Sequence, residues 1–471
     1  MISEFFHMEL KNPAIIDAGS NRLLTYAELE DRVTSMSDWL VQQNPSRDLA
    51  FLYASNTIDS ILLYLAALHE GVPLCLLEPK ESNLRSLSEV YQPGLNLVPQ
   101  GVAAPPSFIE SARCPDTEYV ALVQAAPPAH PDMPHASLAI MLQTSGTTGN
   151  PKLVRLTKGN VLGNASSIAE YLKLSPDEIS IQGLPMHYSY GLSLINSHLL
   201  AGGTIVLTRH SFMMADFWKD FDRHKCTSFA GIPFMYETLH RLQFEPKKRP
   251  TLRTMTQAGG GLRPDLIQHF CDKARDAGVH FVVMYGQTEA TARISYVPWE
   301  RLKEKIGSIG ISIPRGRLTL EELEGIEEVH ELVYEGPNVM MGYAEDRRAL
   351  SLGDVLHGVL HTGDLARVDE EGFFYLTGRL KRFAKLFGRR INLADVEAVV
   401  EREFGVETAA VEGKNKVIVF VAAPAEFDGD TIKRRIAGFL STGIMMIEVI
   451  TIPSIPRTQA GKKDYKMLPS P

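Results

Sequence analysis

One short run of the chain combines glycine, hydroxyl side chains and a lysine at a spacing suited to binding phosphate. It reads Gln143-Thr-Ser-Gly-Thr-Thr-Gly-Asn-Pro-Lys152 and follows a predicted strand. Glycine lets backbone N–H groups turn toward an anion, hydroxyls add donors and the lysine adds positive charge, so the run suits a polyphosphate. It is not a Walker A loop, because Pro151 precedes the lysine and Leu153 follows it, whereas that motif needs Gly-Lys-Ser/Thr. An ordinary P-loop ATPase is therefore disfavoured.

Four further segments place a carboxylate or a basic cluster at a predicted turn. In chain order they are Met284-Tyr-Gly-Gln-Thr-Glu289, Leu360-His-Thr-Gly-Asp-Leu365, Gly378-Arg379 with Gly388-Arg-Arg-Ile391, and Pro456-Arg-Thr-Gln-Ala-Gly-Lys-Lys463. Glu289 is a candidate ligand for Mg²⁺, since a hard cation prefers carboxylate and phosphate oxygens. Asp364 could accept hydrogen bonds from both hydroxyls of a ribose. Taken singly, each segment has a simpler interpretation. In the same order, these are a surface turn, a turn capped by the aspartate, a solvated linker with few apolar residues, and a basic tail.

Length and composition indicate a folded protein of several units. The chain has 471 residues, of which 44% are hydrophobic and 22% charged, close to the average for soluble globular proteins. At roughly 100 to 200 residues per domain, it should form about two to four compact units. The net charge of −8 is spread without long blocks of one sign, which argues against a nucleic-acid partner, because nucleic-acid binding needs a basic face.

The cysteines and the apolar runs predict a cytoplasmic location. Cys75, Cys114, Cys226 and Cys271 lie far apart without metal-ligand spacing, so inert free thiols inside the cell are expected. The amino terminus lacks a basic segment followed by an apolar run, so no secretory signal is expected. The longest apolar stretch, residues 61–68, is shorter than the ~20 residues that cross a bilayer. No membrane span is predicted.

Hydrophobic periodicity predicts the elements that position these segments. Apolar residues at helical spacing predict helices over residues 25–42, 57–69, 158–172, 393–404 and 430–440. Short apolar runs predict strands over residues 49–53, 71–78, 137–142, 179–183, 204–208, 254–257, 280–284, 328–335, 372–377, 416–422 and 447–452. The alternation predicts a parallel sheet covered by helices. The predicted fold is α/β, with a large N-terminal domain (1–378) of helix-covered sheets plus a small β-rich unit, and a small α+β C-terminal domain (379–471).

Read in order, the five chemistry-bearing segments resemble the adenylate-forming superfamily: acyl- and aryl-CoA synthetases, adenylation domains of nonribosomal peptide synthetases, and luciferases. The resemblance covers essentially the whole chain and includes Leu24-Thr-Tyr-Ala-Glu-Leu29 and Leu199-Leu-Ala-Gly-Gly203. It implies an AMP-forming acid–thiol ligase that uses ATP and Mg²⁺. It also implies that the small C-terminal domain is mobile and rotates between two half-reactions.

The resemblance assigns a nucleotide site residue by residue. The phosphate loop comprises Thr144, Ser145, Gly146, Thr147, Thr148, Gly149 and Lys152, and the adenine-binding residues are Gly259, Gly260, Gly261, Tyr285 and Gly286. Thr288 would contact the α-phosphate and Glu289 would hold Mg²⁺. Asp364 would bind the ribose, with Arg379 nearby.

The resemblance also assigns the moving parts. Lys462 matches the mobile lysine that bridges the attacking carboxylate and the α-phosphate. There it would act with Mg²⁺ to stabilise the charge gathered in the transition state. Lys381 occupies the hinge position, and Gly388 belongs to the loop that lines the thiol tunnel.

The acid pocket departs from the common pattern in the segment Leu184-Pro-Met-His-Tyr-Ser-Tyr-Gly191. Many relatives have an aromatic-His pair where this chain has His187-Tyr188. The candidate pocket residues are His187, Tyr188, Ala258 and Met284, although His187 and Tyr188 could instead pack beneath the loop. Amino-acid-activating relatives place an Asp here, but residues 181–200 contain no carboxylate. An acid without an α-amino group is therefore favoured, because an unpaired buried ammonium is costly; aromatic, aliphatic and unsaturated acids stay open.

The thiol acceptor is either CoA or the phosphopantetheine of a carrier protein, and the sequence leaves the two equal. No site for the 3′-phospho-ADP moiety of CoA is recognisable. The basic patches Lys247-Lys-Arg249 and Lys433-Arg-Arg435 could receive an acidic carrier protein. Two alternatives remain: a ligase that stops at the acyl-adenylate, and a catalytically silent nucleotide-binding protein. The silent protein is disfavoured because Lys462 and Glu289 are both present.

Overall fold

The computed structural model describes residues 11–126, 132–143, 152–323, 330–380, 383–386, 389–413, 416–424, 428–440, 442–457 and 463–469. Several predicted site residues therefore lie outside the described residues. They are Thr144, Ser145, Gly146, Thr147, Thr148, Gly149, Lys381, Gly388 and Lys462.

The chain groups into two compact units that are interleaved in sequence. The first contains Met1–Ile306, Ser312–Arg317 and Glu335–Leu360. The second contains Gly307–Ile311, Leu318–Tyr334 and His361–Pro471. A domain boundary after Gly378 stays a prediction, because compactness does not show which segments move together.

The five predicted helices are present, each with both ends within one residue of the prediction. The helices are α1 (Tyr26–Gln43), α2 (Ile58–Glu70), α3 (Glu81–Tyr91), α4 (Lys158–Tyr171), α5 (Ser189–Leu200), α6 (Ala215–Arg223), α7 (Pro233–Arg241), α8 (Pro264–Asp276), α9 (Leu393–Phe404) and α10 (Gly429–Phe439). The start of α4 shows why the local sequence sets the ends. The Thr157 hydroxyl accepts from the Asn160 N–H at 2.9 Å, and the Asn160 side chain accepts from the Thr157 N–H at 2.8 Å. This reciprocal cap satisfies backbone donors that the first helical turn leaves open.

The strands are mostly short. In the first half of the chain they are β1 (Pro13–Asp17), β2 (Arg22–Thr25), β3 (Ala50–Tyr53), β4 (Leu74–Leu77), β5 (Leu95–Pro99), β6 (Phe108–Arg113), β7 (Tyr119–Gln124), β8 (Leu138–Gln143), β9 (Leu153–Thr157), β10 (Ile179–Gln182), β11 (Thr204–Leu207), β12 (Ser228–Gly231) and β13 (Thr254–Gln257). The others are β14 (His280–Tyr285), β15 (Ser295–Tyr296), β16 (Ile311–Ser312), β17 (Arg317–Glu322), β18 (His330–Glu335), β19 (Gly342–Ala344), β20 (Val359–Val368), β21 (Phe374–Arg379), β22 (Phe383–Leu386), β23 (Arg389–Asn392), β24 (Thr408–Gly413), β25 (Lys416–Ala422) and β26 (Ile447–Ile452).

Two large sheets hold the segments of the first unit that carry chemistry. One has the strand order β16-β15-β14-β13-β12-β10-β11-β1-β2, and the other has the order β19-β9-β8-β4-β3-β5-β7-β6. Their central strands pair in parallel, as in β12–β13–β14 and β5–β3–β4–β8. The predicted parallel pairing is confirmed in these central strands, whereas at the edges β9 pairs antiparallel with β8 and β15 with β14. The connections there are short, and short connections join antiparallel strands.

The second unit contains the remaining sheets. One has the order β17-β18-β20-β21, another is the pair β22-β23, and the third has the order β24-β25-β26. The pair β22-β23 is antiparallel, with Leu386 opposite Arg389. Residues 389–391, which could have belonged to a loop, therefore belong to a paired strand. The last sheet shares a core with α9 and α10, formed by side chains such as Val400, Val419 and Ile436.

The cysteines are buried and free, as the sequence predicted. Burial raises the pKa of the Cys75 and Cys226 thiols, which keeps both protonated and unreactive. Among the helices of the described chain, none combines the length and the apolar character that a bilayer crossing requires.

Candidate active site

Glu289 follows the last residue of β14 by a few positions, in a single turn of 3-10 helix over Thr288–Ala290. The turn is tied to a distant segment, because the Met340 N–H donates to the Glu289 carbonyl at 2.9 Å. The Tyr343 hydroxyl donates to Glu289 Oε1 at 2.7 Å. Partial burial, with the negative charge of Glu289, raises the pKa of Tyr343. Tyr343 therefore stays protonated and remains a donor to the carboxylate.

Lys152 lies near the ring of the same tyrosine. Its ammonium pairs with Glu345 and lies 5.7 Å from the centroid of the Tyr343 ring. The geometry comes from β19, which pairs antiparallel with β9 and sets Tyr343 opposite Val154. Lys152 and Glu289 are thus brought together through one aromatic side chain. Sequence reasoning missed Tyr343 and Glu345, since no local pattern reveals that β19 pairs with β9.

Thr288 meets the start of α5. The Thr288 and Ser189 hydroxyl oxygens are 3.3 Å apart, within hydrogen-bond reach. The loop before α5 is held by Asn56, whose side chain donates to the Leu184 carbonyl and accepts from the Met186 N–H, both at 2.9 Å. Asn56 is a second residue that the sequence did not reveal.

His187 and Tyr188, the two candidate pocket residues of this loop, have different neighbours. His187 Nδ1 lies 3.3 Å from the Ala54 carbonyl oxygen. Burial lowers the pKa of His187 and raises that of Tyr188. Both side chains are therefore neutral at physiological pH. The pair adds no charge of its own to the candidate pocket.

Of the three glycines predicted to lie against adenine, Gly259 approaches Tyr188 closely. Gly259 has a φ of +86°, and a Cβ there would lie 2.7 Å from Tyr188 Oη and 3.0 Å from Ile232 Cγ2. Only glycine fits both the backbone conformation and the space. Gly260 and Gly261 are exposed, and a Cβ on Gly261 would meet no atom within 4 Å. The segment therefore offers bare backbone next to Tyr188.

Met284 and Tyr285 end strand β14, and Gly286 follows them in the segment that leads to Glu289. The Gln287 amide donates to Tyr285 Oη at 3.0 Å. Met284 is buried, and the Tyr171 hydroxyl lies 2.9 Å from its sulfur. Ala258 is also buried. The candidate pocket residues of the first unit thus lie along the ends of β13 and β14 and in the loop before α5.

We expect Gly286→Ala to abolish most activity and to lower the melting temperature. A Cβ at position 286 would lie 1.8 Å from the Ala292 carbonyl oxygen and 2.8 Å from Arg293 Cα. Because these are backbone atoms, the turn that carries Glu289 must shift. Gly438→Ala is the matched control, since its Cβ would meet nothing within 4 Å. Unchanged melting and activity in Gly286→Ala would contradict the close approach.

Asp364 and Arg379 both belong to the second unit and contact each other. They are opposite one another in the β20–β21 pair, and Arg379 Nε lies 2.6 Å from Asp364 Oδ1. Asp364 is 1% exposed, whereas Arg379 is exposed. The arginine therefore fixes the orientation of the carboxylate. The roles of both residues at a ribose stay predictions.

Lys463, the residue after Lys462, forms ion pairs with two glutamates. Lys463 Nζ lies 3.1 Å from Glu397 Oε2 and 2.7 Å from Glu401 Oε1, and it donates to the Thr408 carbonyl. Burial opposes its charge, but the two glutamates outweigh burial, so the pKa of Lys463 is raised. Lys463 therefore holds α9 to β24 as a cation.

The fold is shared by solved enzymes. The o-succinylbenzoate CoA synthetase of Bacillus subtilis, in complex with an acyl-adenylate intermediate, superposes with a TM-score of 0.79, covering 100% of this chain and 98% of that one at 22% identity. MatB from Rhodopseudomonas palustris, bound to ATP, gives a TM-score of 0.77 at 21% identity, covering 99% and 97%. At these identities the likeness establishes the architecture alone, which is the α/β fold of adenylate-forming enzymes.

Sequence comparison places the chain more narrowly. The family model for AMP-binding enzymes matches residues 6–344. A feruloyl-CoA synthase of Amycolatopsis sp is 30% identical over 338 residues, which is 67% of each chain. An oxalate–CoA ligase of Arabidopsis thaliana is 28% identical over 421 residues, covering 80% of this chain and 78% of that one. The chain belongs to the AMP-binding enzyme family, within the adenylate-forming superfamily, and it is an AMP-forming acid–thiol ligase.

Proposed function

We propose that this enzyme joins a carboxylic acid without an α-amino group to the thiol of CoA. The acid first attacks the α-phosphate of ATP, giving acyl-AMP and pyrophosphate. The CoA sulfur then attacks the acyl carbon and AMP leaves. The observation that carries the proposal is the convergence of Lys152, Tyr343 and Glu289 beside Thr288. This cluster combines a cation, a carboxylate and hydroxyl donors, which are the groups that bind a polyphosphate together with its metal ion.

The donor set fits Mg²⁺. In nucleotide sites this ion is held by one or two carboxylates together with substrate phosphates, and Glu289 provides a half-buried carboxylate that Tyr343 orients. A bound Mg²⁺ supplies charge neutralisation at the phosphates. Glu289 would hold the ion, and Tyr343 would keep the carboxylate in one orientation.

The donor set also fits the triphosphate. Lys152 would exchange Glu345 for phosphate oxygens, and its pair with Glu345 is solvent-exposed on both sides, so breaking it costs little. The Thr288 hydroxyl would donate to the α-phosphate. The predicted phosphate-loop residues 144–149 would add backbone and hydroxyl donors. Together these groups offset the repulsion between an incoming carboxylate and a phosphate.

The proposal also assigns residues to the adenine and ribose of ATP, to the hinge and to the thiol tunnel. Adenine would lie between Gly259, Gly260 and Gly261 and the ring of Tyr285, with Gly286 giving the backbone room to turn. The ribose hydroxyls would donate to Asp364, which Arg379 orients. The proposal retains a mobile domain that begins after Gly378, with Lys381 as its hinge and Gly388 in the thiol tunnel.

CoA is favoured as the acceptor because the similar enzymes named above are CoA synthases and CoA ligases. A carrier protein that docks on Lys247-Lys-Arg249 or Lys433-Arg-Arg435 is the competing acceptor. A cytoplasmic location is part of the proposal, supported by four buried free thiols.

The proposal predicts acid-dependent ATP–pyrophosphate exchange and, with CoA present, equal amounts of AMP and thioester. The purified chain should be tested with aromatic, aliphatic and unsaturated acids, and with α-amino acids of matching side chain. Phenylpropanoate and phenylalanine form one such pair, differing only in the α-ammonium. Each acid is offered with CoA and, in parallel, with a phosphopantetheinylated carrier protein.

Each outcome has one interpretation. Thioester with the carrier and not with CoA would correct the acceptor. Exchange without thioester on either thiol would indicate a ligase that stops at acyl-AMP. ATP binding without exchange for any acid would indicate a silent nucleotide-binding protein and would overturn the proposal.

A further inference from the structure

Arg293 is a buried arginine of the first unit, only 2% exposed, and its guanidinium packs on an aromatic ring. Its guanidinium carbon lies 3.9 Å from the centroid of the Tyr190 ring. Burial raises the pKa of Tyr171, and the positive charge of Arg293 acts in the opposite direction. Within the described parts of the chain, no Asp or Glu pairs with Arg293, and its Nε has no hydrogen-bond partner. An arginine cannot lose its proton, so a full charge is buried without a counterion.

The surroundings hold this charge in place. The Arg293 carbonyl accepts from the side-chain amides of Asn164 at 3.0 Å and Asn338 at 2.9 Å. Tyr190 is fixed in turn, because its hydroxyl lies 2.9 Å from Thr256 Oγ1. The guanidinium is therefore positioned from both its backbone and its aromatic face. A contact with an aromatic face compensates only part of the cost of burying a cation.

The charge adjoins the candidate acid pocket. Tyr171, whose pKa the charge of Arg293 affects, donates to the sulfur of Met284. Tyr188 packs edge-on against Tyr190, with ring centroids 6.4 Å apart. Burial raises the pKa of Tyr188, while the positive charge of Arg293 acts in the opposite direction. The candidate pocket residue Tyr188 thus lies one side chain away from the guanidinium. Met284 contacts a tyrosine whose pKa the charge of Arg293 affects.

The start of α5 separates this charge from the reacting end of the acid. Ser189 meets Thr288, where the proposed function places the attacked α-phosphate. The next residue, Tyr190, meets Arg293 instead. Successive residues of a helix point about 100° apart. The reacting carboxylate at Thr288 and an anion at Arg293 would therefore be two different groups of one substrate.

We propose that Arg293 is the counterion for a second anionic group of the acid, so that the preferred substrates are dicarboxylic acids or acids that carry another anion such as a sulfonate. This inference rests on the proposed function. The planar guanidinium matches a carboxylate or sulfonate through paired N–H donors. Acids that end in an uncharged group leave the arginine unpaired and bind more weakly.

The test compares non-hydrolysable acyl-adenylate mimics, in which a sulfamate replaces the phosphate, by calorimetry with the full chain. Matched pairs differ only at the far end of the acyl group: succinyl and butanoyl, glutaryl and pentanoyl, para-carboxybenzoyl and para-methylbenzoyl. In at least one pair the anionic member should bind about 10²-fold tighter. This comparison needs no variant, so it does not depend on whether an altered chain folds.

Variants then connect the preference to the side chain. Arg293→Met should remove the preference without weakening the uncharged mimics, and Arg293→Lys should keep part of it, since a lysine retains the charge but not the fork. Arg241→Met, an exposed arginine at the end of α7, should keep it in full.

Three results would overturn the inference. Uncharged mimics that bind as well as their anionic partners in every pair would show that the arginine has no anionic ligand. A preference that survives in Arg293→Met would place the recognition elsewhere. Equal weakening of both members in that variant would make Arg293 a structural residue or a contact of the reacting end. If the protein binds none of these acyl-adenylate mimics, whatever their acyl group, the proposed function itself is wrong.

Discussion

Replacing Lys462 by alanine should slow acid-dependent ATP–pyrophosphate exchange by about 10²- to 10³-fold while ATP affinity is largely kept. The incoming carboxylate and the α-phosphate are both anions, and negative charge grows on the phosphate oxygens as the new bond forms. An ammonium aimed at that charge stabilises the transition state more than the bound ground state. The measurements are exchange at saturating acid and equilibrium binding of ATP.

The adjacent lysines provide matched controls. Lys466→Ala removes one positive charge from an exposed position in the same tail and should leave exchange unchanged. Lys463→Ala should lower the melting temperature instead, because Glu397 and Glu401 would face each other without their cation. Exchange at the wild-type rate in Lys462→Ala would remove that lysine from the mechanism.

The second large effect is expected from Glu289→Gln. Losing the carboxylate should raise the Mg²⁺ concentration needed for half-maximal exchange and lower the maximal rate by about 10²-fold. The amide keeps the size of the side chain and still accepts from Tyr343, so the turn over Thr288–Ala290 should persist. A titration of exchange with Mg²⁺ measures both quantities.

Two neighbours sharpen this test. Tyr343→Phe removes only the hydroxyl that orients Glu289, so a smaller increase in the Mg²⁺ requirement is expected. Glu345→Gln neutralises the carboxylate that pairs with Lys152 and should leave the Mg²⁺ requirement as it is. If Glu345→Gln and Glu289→Gln change that requirement equally, the assignment of the metal to Glu289 is wrong.

Local patterns gave reliable elements where burial is one-sided. Helix α1 buries Leu29, Val33 and Leu40 on one face, and that spacing is visible in the chain. Helix α5 was missed although nearly all its residues are buried, from Ser189 to Leu199. Its buried face includes serines, Asn196 and His198, so the apolar period that predicts a helix is interrupted. The pair β22–β23 was also missed, since apolar and polar residues do not alternate regularly along these two short strands.

The sequence by itself determined the chemistry: five ordered motifs identified the superfamily, and the motif residues carry the groups that a metal-bound nucleotide requires. Tertiary structure alone decided which groups meet. It set Tyr343 between Lys152 and Glu289, enclosed Arg293 among tyrosines, and held Lys463 on two glutamates. The physical reason is range: backbone propensity and hydrophobic period act over a few neighbouring residues, whereas strand pairing and burial join residues that are far apart in the chain.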